Sequence, residues 1–422
     1  MAARSAFILP PFCLTLLAAC APAVSPTPAT PRPTATPAFD VVTPIEAAFQ
    51  ESGRPGEWQV VGLARDDHET LVDPHVEIVL RDASGAEARR TIALPSDPLP
   101  AGAGCPFLEI FRSPPSPTTV QATLLGDRGP SGNPGPIVTG KIVRTFLGAR
   151  GIPTVLGSLT NPGARPLTVA GVRLVGRDAA GGLQAVVGAD PGATWLEPGA
   201  TTPFLARPLS TAQGLSWEVY TISAIGAGSP PEVEILDQVS ARDAQGNPFV
   251  TATVLNPADR PVHLAMSAVA SSDEGWLAAD SIELPAPLAP GERASFSLRL
   301  PGGGLPPEIE WNLVAGATTS DVAAVVLPSE VVGYEPAGST LLLRVRLTGR
   351  PGATVLVPSA SAWLSDDAGE VVSAGWGSAA GPLTSSQAVV VTVALPLPDG
   401  LDLSLAEVDV RGVGVPAVGV TP

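Results

Sequence analysis

The densest group of side chains that could do chemistry is a short run of acidic and imidazole groups in the first third of the chain. This run is Asp66-Asp67-His68-Glu69. Carboxylate oxygens that converge from a flexible turn are the ligands that Ca²⁺ prefers, so Asp66, Asp67 and Glu69 are the candidate metal ligands. Acids are equally typical of a solvated loop, and the repeats described below have asparagine at the position that matches Asp66. We therefore expect a turn here, and no metal or other cofactor.

Other motifs with catalytic or nucleotide-binding potential are incomplete. The run from Gly135 to Lys141 matches a phosphate-binding loop except at its last position, where Ile142 replaces the Ser or Thr that binds Mg²⁺. The 3 histidines leave few ways to form a histidine-dependent triad or a zinc site. We predict a protein that binds no nucleotide and is not an enzyme. A carboxylate-based hydrolase is the least favoured alternative, because any two acids can meet in space.

Tryptophan offers a different chemistry, because an indole ring on the face of a sheet can stack against a sugar. The candidates are Trp58, Trp195, Trp276, Trp363 and Trp376. We expect the first four to fill cores or pack against turns. Trp376 differs, because its neighbours in Ser-Ala-Gly-Trp-Gly-Ser are too small to bury it. Trp376 is therefore the residue at which we expect ligand contact if the protein binds carbohydrate.

Composition and charge indicate an acidic protein built from short strands and turns. The 422 residues include 44 glycines and 48 prolines, 15% are charged, and the formal net charge is −16. Lys141 is the single lysine, so nucleic acid and anionic lipid head groups would be repelled, and nucleic acid is not an expected partner. A chain of this length is long enough for three to four domains of about 100 residues each.

The chain repeats itself at an interval of about 95 residues. The stretch that begins at Gly151 aligns without a gap with the stretch that begins at Gly246, so that Asn161 matches Asn256. One interval earlier, Asp66 takes the place of the asparagine. An alignment without a gap over one short window indicates a true internal repeat rather than chance.

Each unit contains the same order of strand and turn signals. Apolar residues alternate with small or polar ones before the asparagine, which is typical of a half-buried strand, and Asn-Pro then starts a turn. Asp82-Ala-Ser-Gly85 predicts a hairpin turn in which glycine supplies a positive φ. Leu196-Glu-Pro-Gly199 predicts a type II turn before a strand whose Phe204 points inward. The fourth unit lacks the Asn-Pro and Leu-x-Pro-Gly blocks, so we interpret it as a diverged copy.

About seven short strands per unit, with frequent turn signals, predict an all-β fold of tandem immunoglobulin-like β-sandwich domains. Pro/Gly-rich segments separate the units. We therefore expect the sandwiches to be independent and to share little interface.

The N-terminal residues indicate export. A short apolar run ends in Leu17-Ala18-Ala19-Cys20, and SPTPATPRPTATP follows, which cannot bury a core and predicts a disordered tether. The run is too short to span a bilayer. It resembles a bacterial lipobox, which implies cleavage before Cys20 and acylation of its thiol. An ordinary secretory signal with an accidental cysteine is the alternative.

The lipobox resemblance determines the expected fate of the three cysteines and of the mature protein. It implies that Cys13 is removed and Cys20 is acylated, which leaves Cys105 as an unpaired thiol. It also implies a lipid anchor on the extracytoplasmic side of the cell envelope, at the outer membrane or the cell surface.

The signal peptide, the tether and the repeats together divide the chain into six predicted segments. We predict a lipoprotein signal peptide over residues 1–19, a lipidated N-terminus and Pro/Thr-rich tether over 20–44, and sandwiches over 45–128, 136–226, 232–317 and 329–416.

From Gly56 to Gly316, the order of strands, asparagine turn, Asp-x-x-Gly and Leu-x-Pro-Gly resembles the FxLYD-type extracytoplasmic sandwich domains of bacteria. The resemblance implies tandem adhesive or spacer domains and brings no catalytic residues. We therefore expect a membrane-anchored, non-enzymatic stalk or protein-interaction module whose partner is a protein or a cell-envelope polysaccharide. The alternative is a carbohydrate- or cell-wall-binding accessory lipoprotein.

Overall fold

The computed structural model describes residues 39–417, apart from 113, 115, 131–137, 149–151, 209–213, 226–228, 274, 301–304 and 307. The signal peptide, the lipobox, Cys20 and most of the tether lie outside the described residues, so the statements about them stay predictions. The described residues form 26 strands and no helix. The all-β fold class is therefore confirmed.

The strands group into four consecutive β-sandwiches. Those of the first sandwich are β1 (Val41–Glu51), β2 (Glu57–Arg65), β3 (Leu71–Asp82), β4 (Glu87–Ala93), β5 (Gly104–Arg112) and β6 (Pro117–Arg128). Those of the second are β7 (Thr139–Leu147), β8 (Pro153–Thr160), β9 (Leu167–Arg177), β10 (Leu183–Pro191), β11 (Trp195–Leu196), β12 (Thr201–Ala206) and β13 (Ser216–Ile225). Those of the third are β14 (Glu234–Arg242), β15 (Pro248–Leu255), β16 (Val262–Ser272), β17 (Gly275–Glu283), β18 (Arg293–Arg299) and β19 (Glu310–Thr319). Those of the fourth are β20 (Val325–Leu327), β21 (Ser329–Ala337), β22 (Thr340–Thr348), β23 (Ser359–Ser365), β24 (Val371–Ser378), β25 (Ala388–Pro396) and β26 (Glu407–Gly414).

Each sandwich contains the same two antiparallel sheets. We call the sheet that holds the first, second and fifth main strands the front sheet; in the third sandwich its order is β14-β15-β18. The back sheet holds the hairpin of the third and fourth main strands together with the last strand, and its order there is β17-β16-β19. The front sheet is β21-β22-β25 in the fourth sandwich. In the second sandwich β10 also pairs with β12, which joins the two sheets along one edge.

The first strand of a sandwich can belong to both sheets. Residues 41–45 of β1 pair with β6 in the back sheet, and residues 46–51 pair with β2 in the front sheet. In the fourth sandwich the same crossing is split, because Pro328 separates β20, which pairs with β26, from β21, which pairs with β22. Proline cannot donate a ladder hydrogen bond, so it suits a point where the strand changes partners.

Strand pairing extends beyond the predicted ranges of two sandwiches. Val41 pairs with Gly126 of the first sandwich, ahead of the predicted start at residue 45. Val325 pairs with Gly414 of the fourth, ahead of the predicted start at residue 329.

Each sandwich has its own apolar core, and one cross-strand pair recurs at the centre of three of them. Phe107, Phe204 and Phe296 are all buried and lie directly opposite Gly62, Gly157 and Ala252. A Cβ atom on Gly62 would overlap the ring of Phe107. The small residue on one strand therefore makes the room that the large residue on its partner occupies. In the fourth sandwich the pair becomes Val345 opposite Val391, and two medium-sized side chains replace one large and one small.

The Asp-x-x-Gly hairpin turns form as the sequence predicts. Asp178 accepts hydrogen bonds at Oδ1 from the backbone N–H groups of Ala180 and Gly182, both at 2.9 Å. Gly181 has a φ of 85°, a conformation that costs glycine nothing and other residues about 1 kcal/mol or more. Equivalent turns are built around Asp82 in the first sandwich and Asp366 in the fourth, and a turn with the same hydrogen bonds is built around Asp243, between β14 and β15 of the third.

The fourth sandwich keeps the repeat geometry although its sequence lacks the two blocks. The N–H of Asn161 donates to the carbonyl of Ala200, and in the fourth sandwich the N–H of Gly349 donates to the carbonyl of Gln387 at 2.8 Å. Leu383 bridges to Val355 as Leu288 bridges to Val262. Gly349 and the segment that begins at Leu383 therefore replace the asparagine and the Leu-x-Pro-Gly block. The hydroxyl of Ser385 completes the turn, accepting from the N–H of Gly352 at 2.7 Å and donating to the carbonyl of Arg350 at 3.0 Å.

Candidate functional site

The structure does not bring the predicted metal ligands together. Oδ1 of Asp66 accepts hydrogen bonds from the backbone N–H groups of His68 at 2.8 Å and Glu69 at 2.9 Å. Burial raises the pKa of Asp66, but these hydrogen bonds outweigh it and hold the pKa below its usual value. Asp67 pairs with Arg65, and the Glu69 carboxylate lies 2.9 Å from Nε of Arg128. Among the described residues, no three or more His, Cys, Asp or Glu side chains are grouped so that they could hold a metal ion.

Two further sequence candidates lie in structural positions. Cys105 is buried in the core of the first sandwich and is unpaired among the described residues. Burial raises the pKa of its thiol, which disfavours the reactive thiolate. Lys141 lies inside β7, opposite Ser158, whereas a phosphate-binding loop would place it before a helix.

The first junction between sandwiches joins the front sheet of the first to the back sheet of the second. Val61 and Leu63 on β2 form a buried apolar cluster with Val175 on β9 and Val186 on β10. Arg177 donates to both carboxylate oxygens of Glu46, each at 2.9 Å, across the same junction. A two-pronged contact of this kind fixes orientation as well as position.

Tyr220 of β13 completes the first junction. Its ring occupies the space beside Gly104 where any larger side chain would collide with it, and its hydroxyl donates to Glu218 at 2.8 Å. Burial and this hydrogen bond to a carboxylate raise the pKa of Tyr220 to about 12.

The second junction repeats the arrangement. Leu156 and Leu205 on the front sheet of the second sandwich cluster with Val269 and Ala279 on the back sheet of the third. At its rim Arg207 donates to Asp280 at 2.9 Å. Burial raises the pKa of Asp280 even though the guanidinium group opposes this effect.

The third junction uses the same two faces but different chemistry. The front sheet of the third sandwich presents a ladder of hydroxyl groups, in which Thr251 and Ser297 are 2.7 Å apart. These hydroxyls contact the backbone of β24, which is the edge strand of the fourth sandwich's back sheet. Oγ1 of Thr251 donates to the carbonyl of Val372 at 3.0 Å, and Oγ of Ser297 accepts from the N–H of Ala374 at 2.8 Å. The ladder thus covers an edge that would otherwise be open to pairing with other chains.

Polar contacts also surround the third junction. Arg299 pairs with buried Asp243 and donates to the hydroxyl of Ser339 at 2.7 Å. Burial raises the pKa of Asp243, but hydrogen bonds from Asn247 and the N–H of Gln245 hold it below its usual value. Arg411 of the fourth sandwich pairs with Glu292 of the third.

Trp376 lies in this junction, so the expectation that no neighbour could bury it is wrong. The indole is half-buried against the apolar core of the third sandwich, and its N–H donates to the carbonyl of Ser295 at 3.2 Å. Gly375 and Gly377 point the other way, where a Cβ atom would collide with the carbonyl groups of Ala394 and Thr392 on β25. The small residues around Trp376 therefore let β24 approach β25, and a separate sandwich supplies the cover for the indole.

The three junctions also correct the expectation of independent sandwiches. Residues from Phe39 onward form one compact unit, and the outward residues of the front sheets explain why. Side chains such as Leu63 and Leu156 alternate with the core residues of the same strands, so each strand supplies two apolar faces. Burying both faces couples each sandwich to the next.

The corresponding face of the fourth sandwich is charged. Val345 in the fourth sandwich occupies the position of Gly62 in the first, since each lies opposite the central residue of the fifth main strand. Arg344 and Arg346, on either side of Val345, therefore occupy the positions of Val61 and Leu63. Arg346 lies 3.2 Å from the carboxylate of Glu330 on β21. This face therefore carries charge on β22 where the first sandwich is apolar, beside the exposed Val390 that lies opposite Arg346.

A cleft of about 520 Å³ lies between the third and fourth sandwiches. Its walls include Trp363, Trp376, Asp237, Glu370 and Arg411. Sequence reasoning favoured Trp376 and assigned Trp363 to packing; the structure places both at one cleft. The two residues lie diagonally across the β23–β24 pair, since Ser361 opposes Trp376 and Trp363 opposes Ala374. This cleft is the candidate ligand site.

No protein-family model and no curated protein matches the chain. In the part of the chain that the structure describes, no helix has the length and apolar character needed to cross a membrane.

Proposed function

We propose that this protein is an extracytoplasmic lipoprotein in which an acylated Cys20 and a Pro/Thr-rich tether anchor a non-enzymatic stalk of four sandwiches. The lipobox Leu17-Ala18-Ala19-Cys20 and the following low-complexity segment support the anchor. The resemblance to FxLYD-type domains supports a place in the cell envelope, at the outer membrane or the cell surface. The stalk would present its distal sandwiches to a protein or a cell-envelope polysaccharide.

The proposal of a stalk is supported above all by the recurring junction between the front sheet of one sandwich and the back sheet of the next. Flexible linkers would let the domains move independently. Buried clusters around Leu63 and Leu156, and the Arg177–Glu46 pair, instead hold successive sandwiches in fixed orientations. A row of sandwiches held in constant orientations suits a spacer, because its end-to-end distance does not vary with thermal motion.

The anchor and the stalk can be tested on the same protein. Detergent-phase partitioning should retain the wild type and release Cys20→Ser into the aqueous phase; equal partitioning contradicts the anchor. Spin labels at exposed Thr91 and Thr392, in the first and fourth sandwiches, should give a single narrow distance distribution. A broad distribution would contradict the stalk while leaving the anchor intact.

Carbohydrate binding is the second candidate function, and the cleft between the third and fourth sandwiches is the observation that favours it. A cleft of 520 Å³ lies in the usual range for small-molecule sites. It combines two indole rings with carboxylate and guanidinium groups, which match the apolar ring faces and the hydroxyl groups of a sugar.

A further inference from the structure

The position of Trp363 in the repeat shows why the cleft exists. Trp363 comes three residues before Asp366 of the hairpin turn, and Val175 comes three residues before the equivalent Asp178. Val175 is fully buried in the first junction. Trp363 is only half-buried. The space that a valine fills in the first junction is therefore lined by an indole and left accessible in the third.

The hydroxyl ladder of the third sandwich accounts for this difference. It contacts the backbone of β24, and β24 contacts all three strands β14, β15 and β18. Trp363 belongs to the neighbouring strand β23, one position further from that edge. Because the fourth sandwich rests on its edge strand, the outer face of β23 stands beside the third sandwich without being sealed against it.

The polar groups around Trp363 are available to a ligand. Within the described residues, the indole N–H of Trp363 has no hydrogen-bond partner, and neither do the carboxylates of Asp237 and Glu370. Asp237 lies on the front sheet of the third sandwich and Glu370 follows the hairpin turn of the fourth. Acceptors therefore stand on both sides of one aromatic platform. Three carboxylates, with Glu292, outnumber the guanidinium groups of Arg293 and Arg411, which disfavours anionic ligands.

We propose that this cleft binds a segment of a neutral oligosaccharide, with one sugar ring stacked on Trp363 and its hydroxyl groups donating to Asp237 and Glu370. Hexose and N-acetylhexosamine rings have the required apolar face and hydroxyl rim. The inference rests on the carbohydrate-binding candidate and is independent of the stalk. It assigns to Trp363 the stacking role predicted from the sequence for Trp376, because the N–H of Trp376 already donates to the carbonyl of Ser295.

Isothermal titration of the full-length protein in detergent tests the assignment, with cellohexaose and chitohexaose as the probes. The wild type should bind at least one of them, and Trp363→Ala should bind that probe at least tenfold more weakly. The matched control is Trp195→Ala, which changes a partly exposed indole in the second sandwich whose N–H donates to Glu197. The control should bind within twofold of the wild type.

A second variant keeps the test decisive if Trp363→Ala disturbs folding. Asp237→Asn changes an exposed side chain on the opposite wall and should also weaken binding severalfold. Binding that Trp363→Ala and Asp237→Asn leave intact would overturn the cleft assignment but keep the carbohydrate candidate. Failure of the wild type to bind either probe would overturn both, and neither result bears on the spin-label distances.

Discussion

Asn161 and Asn256 show at the level of single residues how one side chain closes a repeat. The amide group of Asn161 donates to the carbonyls of Arg165 at 2.8 Å and Leu196 at 2.9 Å, and its oxygen accepts the N–H of Gly163 at 2.9 Å. Asn256 makes the same three bonds in the next sandwich. Both side chains are fully buried, so each bond satisfies a group that water cannot reach.

We expect Asn161→Ala to lower the free energy of unfolding by about 1–3 kcal/mol, because it removes three hydrogen bonds and takes the amide donor away from the carbonyl of Leu196 in a buried contact. Chemical denaturation measures the change. Asn312→Ala is the control, since Asn312 is exposed on β19, and it should cost less than about 0.5 kcal/mol. Equal losses in the two variants would show that the hydrogen bonds of Asn161 contribute nothing specific.

At the level of strands, the pair Gly62 and Phe107 shows how two neighbouring elements share one volume. The pair is opposite in register, and Phe107 leaves no room for a side chain on Gly62. The fourth sandwich fills the same place with Val345 and Val391. The combined volume of the pair therefore matters more than the identity of either residue.

Gly62→Val should destabilise the protein by about 1–3 kcal/mol through overpacking, and Phe107→Val by about 2–4 kcal/mol through the cavity it leaves. The double variant reproduces the valine pair of the fourth sandwich. Its loss should be clearly smaller than the sum of the two single losses, as expected for contacting residues. Thermal unfolding of the four proteins forms the cycle, and additive losses would contradict the shared volume.

The local turns were predictable from sequence because the side chains that hold each turn by hydrogen bonds belong to residues of that turn. Asp178 and Asn161 use their own side chains, so their types mark the turns. The repeat was harder to see in the fourth sandwich, where Gly349 makes the bond through its backbone and Ser386 takes a φ of 66° that glycine takes in the other copies. The burial of Trp376 depends on which faces of separate sandwiches meet, and no window of sequence contains that information.

At the level of the whole molecule, one rule of assembly relates the three junctions. A front sheet always meets the next back sheet, and the contact changes from apolar at Leu63 and Leu156 to hydroxyl at Thr251. The first two junctions gain from the hydrophobic effect, while the third depends on directional hydrogen bonds and ion pairs. The candidate ligand site coincides with the one junction that is not sealed by apolar side chains.

Leu63→Asp should separate the unfolding of the first sandwich from the rest, because it places a charge in the apolar cluster of the first junction. Leu63 is 9% exposed. Differential scanning calorimetry should show an additional, lower-temperature transition in this variant. Val42→Asp introduces the same charge at a residue of the first sandwich that is 64% exposed and should leave the profile unchanged. A profile for Leu63→Asp that matches the wild type would show that the sandwiches are not coupled there.

The charged front face of the fourth sandwich has a consequence for self-association. A contact between two different faces does not close on itself, so copies that carried both faces exposed would add head to tail into fibres. Arg344 and Arg346 oppose such growth, because burying their guanidinium groups against the back sheet of another copy would cost more than the contact returns. The contact between a front sheet and a back sheet could in principle repeat without end. Arg344 and Arg346 on β22 thus limit it to the sandwiches within one molecule.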